Sequence, residues 1–172
     1  MLKMTSEEIR GQIQMYPENW INISTTNCYA YALGLDINEN DICHNAYQPG
    51  TMSEFEEDCF LTYPNLVKAI EQELKFLSIS YREIEPLTPI TLDEWKIALL
   101  VKQYYDHRMH EILLSGFHFL RTNKNEIWVH KPGYPNAPSE RDYHNQMITD
   151  PREFAFHDYV YKKCYALKLN RK

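Results

Sequence analysis

Cys28 stands where polar residues give way to a run of helix formers, in Thr26-Asn27-Cys28-Tyr29-Ala30-Tyr31-Ala32-Leu33. Ser24, Thr25, Thr26 and Asn27 are all capping types, so the pattern predicts Cys28 in the first turn of a helix. Backbone N–H groups and the helix dipole at such an end stabilise negative charge and lower a thiol pKa from about 8.5, which favours the nucleophilic thiolate. A thiolate still needs a base that can later return a proton to the leaving group. His118 and His130 lie downstream in two strand-like runs, "GFHFLRT" and "EIWVH"; His118 is the candidate base and His130 the group that orients its ring. Cysteine on a helix, histidine on one strand and a third polar residue on the next is one way to build such a triad.

Each residue also has an ordinary use. Cys28 between Asn27 and Tyr29 fits a small buried side chain, and His118 between Phe117 and Phe119 fits a hydrogen-bonded core histidine. His130, followed by Lys-Pro-Gly, fits an exposed strand end. The link between the histidines is a tight hairpin at "NKN". If all three residues form the loop, with Asn125 left-handed, Thr122 pairs with Glu126 and His118 falls opposite His130. A two-residue turn would oppose His118 to Val129 and separate the rings. A metal site competes for the same residue types: "DHRMHE" spaces His107 and His110 like one helical turn beside Asp106 and Glu111, and Cys43-His44 adds two ligands. There is no C-x-x-C pair and "HRMHE" is not H-E-x-x-H, so neither a metal nor a cofactor is expected.

The elements that must hold these groups follow from pattern. Thr5-Ser6-Glu7-Glu8 is a capping box, and Ile9, Ile13 and Tyr16 extend a first helix that Pro17 ends. "CYAYALGLDI" is a second helix with Gly34 as its stop, and Asp36 to Tyr63 is a long irregular excursion broken by "QPG" and solvated around "EFEED". "PNLVKAIEQELKFLSI" restores the helical period through Leu66, Ile70 and Leu74. Short apolar runs then follow as strands: "WKIALLVKQYY", "ILLSGFHFLRT", "EIWVHK" and "KKCYALKL", with Tyr104, Tyr105, Tyr159 and Tyr161 in core or rim positions. Helices first and strands later predict an α+β domain, and 172 residues at 44% hydrophobic content suit one domain over residues 1–172.

A formal net charge of −6 with scattered basic residues argues against nucleic acid as partner. No apolar run reaches the roughly 18 residues of a membrane span, and the amino terminus has no Sec-type apolar core. Cys28, Cys43, Cys59 and Cys164 are too irregularly spaced for a disulfide framework, so free thiols are expected in the cytoplasm, or in a protein delivered without a Sec signal.

The segments "NCYAYAL", "QPG", "FHFLR", "WVHKPG" and "ITDP" together resemble a family of bacterial and phage proteins. That family carries an Asn-Cys-Tyr-x-Tyr-Ala-Leu box, a His-Phe-x-Arg strand and a Trp-x-His-Lys-Pro-Gly strand end, and is similar to NlpC-type papain-like cysteine hydrolases. The likeness runs in pieces between Asn27 and Pro151. It implies a papain-like fold with the nucleophile helix packed on an antiparallel sheet, Cys28 as nucleophile, His118 as base and His130 as third member. It further implies Asn27 as loop or oxyanion support and Asp150 as an additional polar member. The expected activity is hydrolysis of an amide or ester bond in a protein or peptide substrate. Two departures stand out: Gly116 occupies the place of an acid and Leu120 that of an aromatic. "QYYDHRMHEILLS" is longer than its counterpart and reads as a lid or partner surface. These departures motivate the alternative of a non-enzymatic interaction or inhibitor protein on the same scaffold.

Overall fold

The computed structural model describes residues 4–16, 26–35, 47–53, 62–132 and 136–170. Cys43, His44, Cys59 and the "EFEED" stretch lie outside them.

Thr5 caps helix α1 (Ser6–Gly11): its hydroxyl accepts the Glu8 N–H while the Glu8 carboxylate accepts the Thr5 N–H at 2.7 Å. The helix stops at Gly11 rather than at Pro17. Ile13 leaves it to bridge Leu35, and the Gln14 N–H donates to the Gly34 carbonyl at 2.9 Å, so a tertiary pairing overrides the helical period. Helix α2 (Cys28–Leu33) begins at Asn27, whose side-chain oxygen accepts the Ala30 N–H at 2.9 Å. It ends at Gly34, where a left-handed φ of 78° suits glycine.

Helix α3 (Tyr63–Phe76) has Thr62 as cap and Pro64 in its first turn, and buries Leu66, Ala69, Ile70, Glu73 and Leu74 along one stripe. It is shorter than the sequence period suggests. Leu77 closes it, and Ser78 at φ 56° turns the chain into strand β1 (Ile79–Glu83), of which the sequence pattern placed only Ile79, in the helix.

Strands β2 (Trp95–Asp106), β3 (Glu111–Thr122), β4 (Trp128–His130) and β5 (Val160–Leu169) complete a sheet of order β1-β5-β2-β3-β4. Every pair is antiparallel, so the architecture is α+β. Alternate residues divide the core between the faces. Ile97, Leu99, Val101, Phe119, Tyr165 and Leu167 pack under the three helices, whereas Ala98, Leu100, Leu120, Trp128 and Cys164 pack with Ile148 and Phe154 on the other face. Each fully buried large apolar side chain contributes about 1.5–3 kcal/mol relative to exposure.

α2 is tied to the sheet by side chains reaching its carbonyls. The Trp95 indole donates to Ala32 at 3.0 Å. The buried Arg121 guanidinium donates to Tyr31 at 3.1 Å and to Met15, with its centre 5.7 Å from the rings of Tyr31 and Trp95.

The "DHRMHE" stretch is the tip of the β2–β3 hairpin rather than a helical turn. Asp106 pairs with Glu111, and its carboxylate accepts the N–H groups of Arg108 and Met109 at 2.9 Å. Tyr104, Tyr105, Met109 and Ile112 are exposed around it. Among the described residues no three His, Cys, Asp or Glu side chains converge as metal ligands, and no helix is long and apolar enough to cross a membrane.

Candidate active site

The β3–β4 connection has neither of the lengths considered from the sequence. Asn123 closes its own loop: its side chain accepts the N–H groups of Asn125 at 2.9 Å and Ile127 at 3.1 Å, and its backbone N–H donates to the Ile127 carbonyl. The left-handed residue is Glu126, at φ 59°, and not Asn125. The loop is thereby lengthened, and Thr122 pairs with Trp128 and Leu120 with His130. His118 is displaced by two residues from the position opposite His130. Side chains two apart on a strand share a face, so the displacement preserves the meeting of the rings, now on a diagonal. His118 Nε2 lies 3.0 Å from His130 Nδ1, with ring centroids 5.2 Å apart.

The other nitrogen of His130 fixes the direction of this bond. His130 Nε2 lies 2.9 Å from the Arg141 carbonyl, which can only accept, so Nε2 carries the proton. In the neutral ring Nδ1 is then the acceptor, and His118 Nε2–H donates to it. His118 is left with a bare lone pair on Nδ1. Burial and the neighbouring His130 push His118 down to about 3. Burial lowers His130 too, partly opposed by the Arg141 carbonyl and Asp142. Both rings are therefore neutral at pH 7, and a thiolate beside His118 would raise it again.

Cys28, half-buried as the first residue of α2, packs at the rim of the cluster under the helices. Burial raises the phenols of Tyr143 and Tyr159, and a thiolate at Cys28 would add to that rise. Those rings stack on either side of Phe156, at 4.5 and 4.3 Å, and Phe156 lies 4.8 Å from the His118 ring. Cys28 packs with the cluster under the helices, whereas His118 packs against Phe154 and Phe156 on the other face of the sheet. α2 packs against β3 and β4, and β4 pairs with β3 only over Leu120–Thr122.

The remaining expectations separate. Asn27 is the cap of α2 beside Cys28, and its amide nitrogen donates to the Tyr47 carbonyl at 2.5 Å. Asp150 is engaged elsewhere: it caps the 3-10 turn Pro151–Glu153 and pairs with the Arg152 guanidinium at 2.6 Å, which holds its carboxyl below the usual range. No hydrogen bond joins it to either imidazole. Gly116 has a steric reason, since an added Cβ would overlap the Tyr159 hydroxyl. The Tyr159 hydroxyl, just before β5, fills that space beside β3. Cys164 is buried in β5 and pushed up to about 12 by that burial.

Three components were not found from sequence. The Arg141 anchor is a backbone carbonyl, which no residue type announces. The rings of Phe154 and Phe156 lie in an irregular segment without periodicity. Glu73 did carry a signal, a carboxylate on the apolar stripe of α3.

A scan against protein-family models and searches of curated proteins and of solved structures return no match.

Proposed function

We propose that the chain is a papain-like, NlpC-type cysteine hydrolase that cleaves an amide or ester bond in a protein or peptide substrate. The observation that carries this reading is the directed relay from His118 to His130 to the Arg141 carbonyl, which leaves a lone pair on His118 Nδ1. In the proposed reaction His118 takes the Cys28 thiol proton as sulfur attacks the carbonyl carbon. Backbone N–H groups near Cys28 hold the tetrahedral oxyanion. His118 then returns the proton to the departing amine or alcohol, and water resolves the thioester with the same imidazole as base.

The aromatic cover over His118, which is 5% exposed, supports a second reading: an interaction or inhibitor protein that kept the scaffold with its base sealed. Alkylation with iodoacetamide separates the two. For the hydrolase, Cys28 of the folded chain should react faster at mildly acidic pH than the same cysteine in urea, and His118→Ala should remove the advantage. A Cys28 that reacts like an ordinary thiol in both states favours the interaction protein.

A further inference from the structure

A carboxylate is buried where the period of α3 calls for an apolar side chain. Glu73 is 0% exposed, and burial raises its pKa against the hydrogen bonds it accepts. A buried carboxylate is costly unless donors surround it. Its donors come from one segment, residues 47–53: the Tyr47 hydroxyl at 2.6 Å, the Met52 N–H at 3.1 Å and the Ser53 N–H at 3.0 Å. The segment itself turns tightly at Gln48–Thr51, with Gly50 at φ 87°, so it presents both ends to Glu73.

The same segment touches the head of α2. The Tyr47 carbonyl accepts from the Asn27 amide nitrogen, and the Tyr47 ring stacks on Tyr29 at 5.3 Å. The first contact decides which end of the Asn27 carboxamide faces the helix: with nitrogen held by Tyr47, oxygen is left to cap Ala30. A flipped carboxamide would put an N–H against the Ala30 N–H and release the first turn, which contains Cys28.

We propose that Glu73 is a positioning residue for Cys28, acting through Tyr47 and Asn27. The proposal rests on Cys28 being the nucleophile of the proposed hydrolase. Glu73 touches no reacting atom; it holds the segment that orients the cap.

The test is the rate of Cys28 alkylation by iodoacetamide as a function of pH, read by peptide mass spectrometry in variants whose thermal melting is followed in parallel. Glu73→Gln and Tyr47→Phe should each slow Cys28 by about tenfold or more, the scale expected when a remote change shifts a reacting group. Glu71→Gln, which removes the acceptor of the Tyr81 and Tyr165 hydroxyls on the same helix, should leave the rate unchanged. In an Asn27→Ala background Glu73→Gln should add nothing, because the path is already cut. A folded Glu73→Gln with the wild-type profile, or independent effects of Glu73→Gln and Asn27→Ala, would overturn the proposal. If Glu73→Gln does not fold, Tyr47→Phe decides, since it deletes one hydroxyl. Unchanged alkylation in His118→Ala would count against the hydrolase reading alone, and an unchanged rate in Glu73→Gln and Tyr47→Phe against the positioning role alone.

Discussion

On one face of the sheet a pair of histidines ends on a backbone carbonyl; on the other a glutamate ends on two backbone N–H groups and a phenol. The first network is uncharged, and its direction comes from an acceptor that cannot donate. The second is a carboxyl group that accepts hydrogen bonds from a segment outside the sheet. The difference shows two ways of fixing a polar group in an apolar core: by a partner whose role is set by covalent structure, or by a group that collects several donors. A relay must keep its proton positions, and a carbonyl anchor, which can only accept, fixes the proton on His130 Nε2.

The largest effect should separate the members of the histidine network. His118→Ala should reduce hydrolysis of a responsive ester or peptide by the 10²–10⁴-fold scale of a lost general base. His130→Ala should cost less, because the orienting ring is removed while the base remains. The reverse order would mean that their roles are exchanged.

Next comes the sign of the pH dependence of folding. His118 is lowered to about 3 in the fold against about 6.5 when unfolded, so its stabilising contribution is present above pH 6.5 and lost as pH falls toward 3. The slope is at most about 1.4 kcal/mol per pH unit. Glu73 is raised, so its contribution is present below the ordinary carboxylate pKa and lost as pH rises through the folded value. Urea unfolding between pH 4 and pH 7 should therefore show wild type losing ground to His118→Gln on acidification and to Glu73→Gln on alkalinisation. Differences of the same sign would break the contrast between the two networks.

The smallest effect is expected at Asp150, which belongs to neither. Asp150→Asn keeps a capping side chain and loses a partly exposed ion pair, so stability should change by about 1 kcal/mol or less. Cys28 alkylation should be unchanged; a slowed thiol would return Asp150 to the site.

Local signals were the legible ones. The Thr5 box, the Asn27 cap, the Gly34 stop and the apolar run of β3 each depend on a few adjacent residues, and each reappears in the structure. What failed depends on distant partners. α1 ends early because Ile13 finds Leu35, and α3 ends early because β1 finds β5. The β3–β4 register was missed because the Asn123 side chain competes with the ladder for backbone donors, a local effect whose outcome the residue types do not fix. The two imidazoles still meet, on a diagonal rather than as the expected cross-strand pair, because the displacement was even.

Arg121 gives β3 a mechanical role. The strand holds the middle of α2 through the Tyr31 carbonyl and, three residues earlier, carries His118 on its opposite face. Three strand steps set about 10 Å between the residue that holds α2 and the residue that bears the imidazole. β3 therefore works as a calliper: the jaw that grips the helix and the jaw that bears the imidazole are cut from one piece of backbone. α2 cannot slide along the sheet without giving up the hydrogen bond from the Arg121 guanidinium to Tyr31.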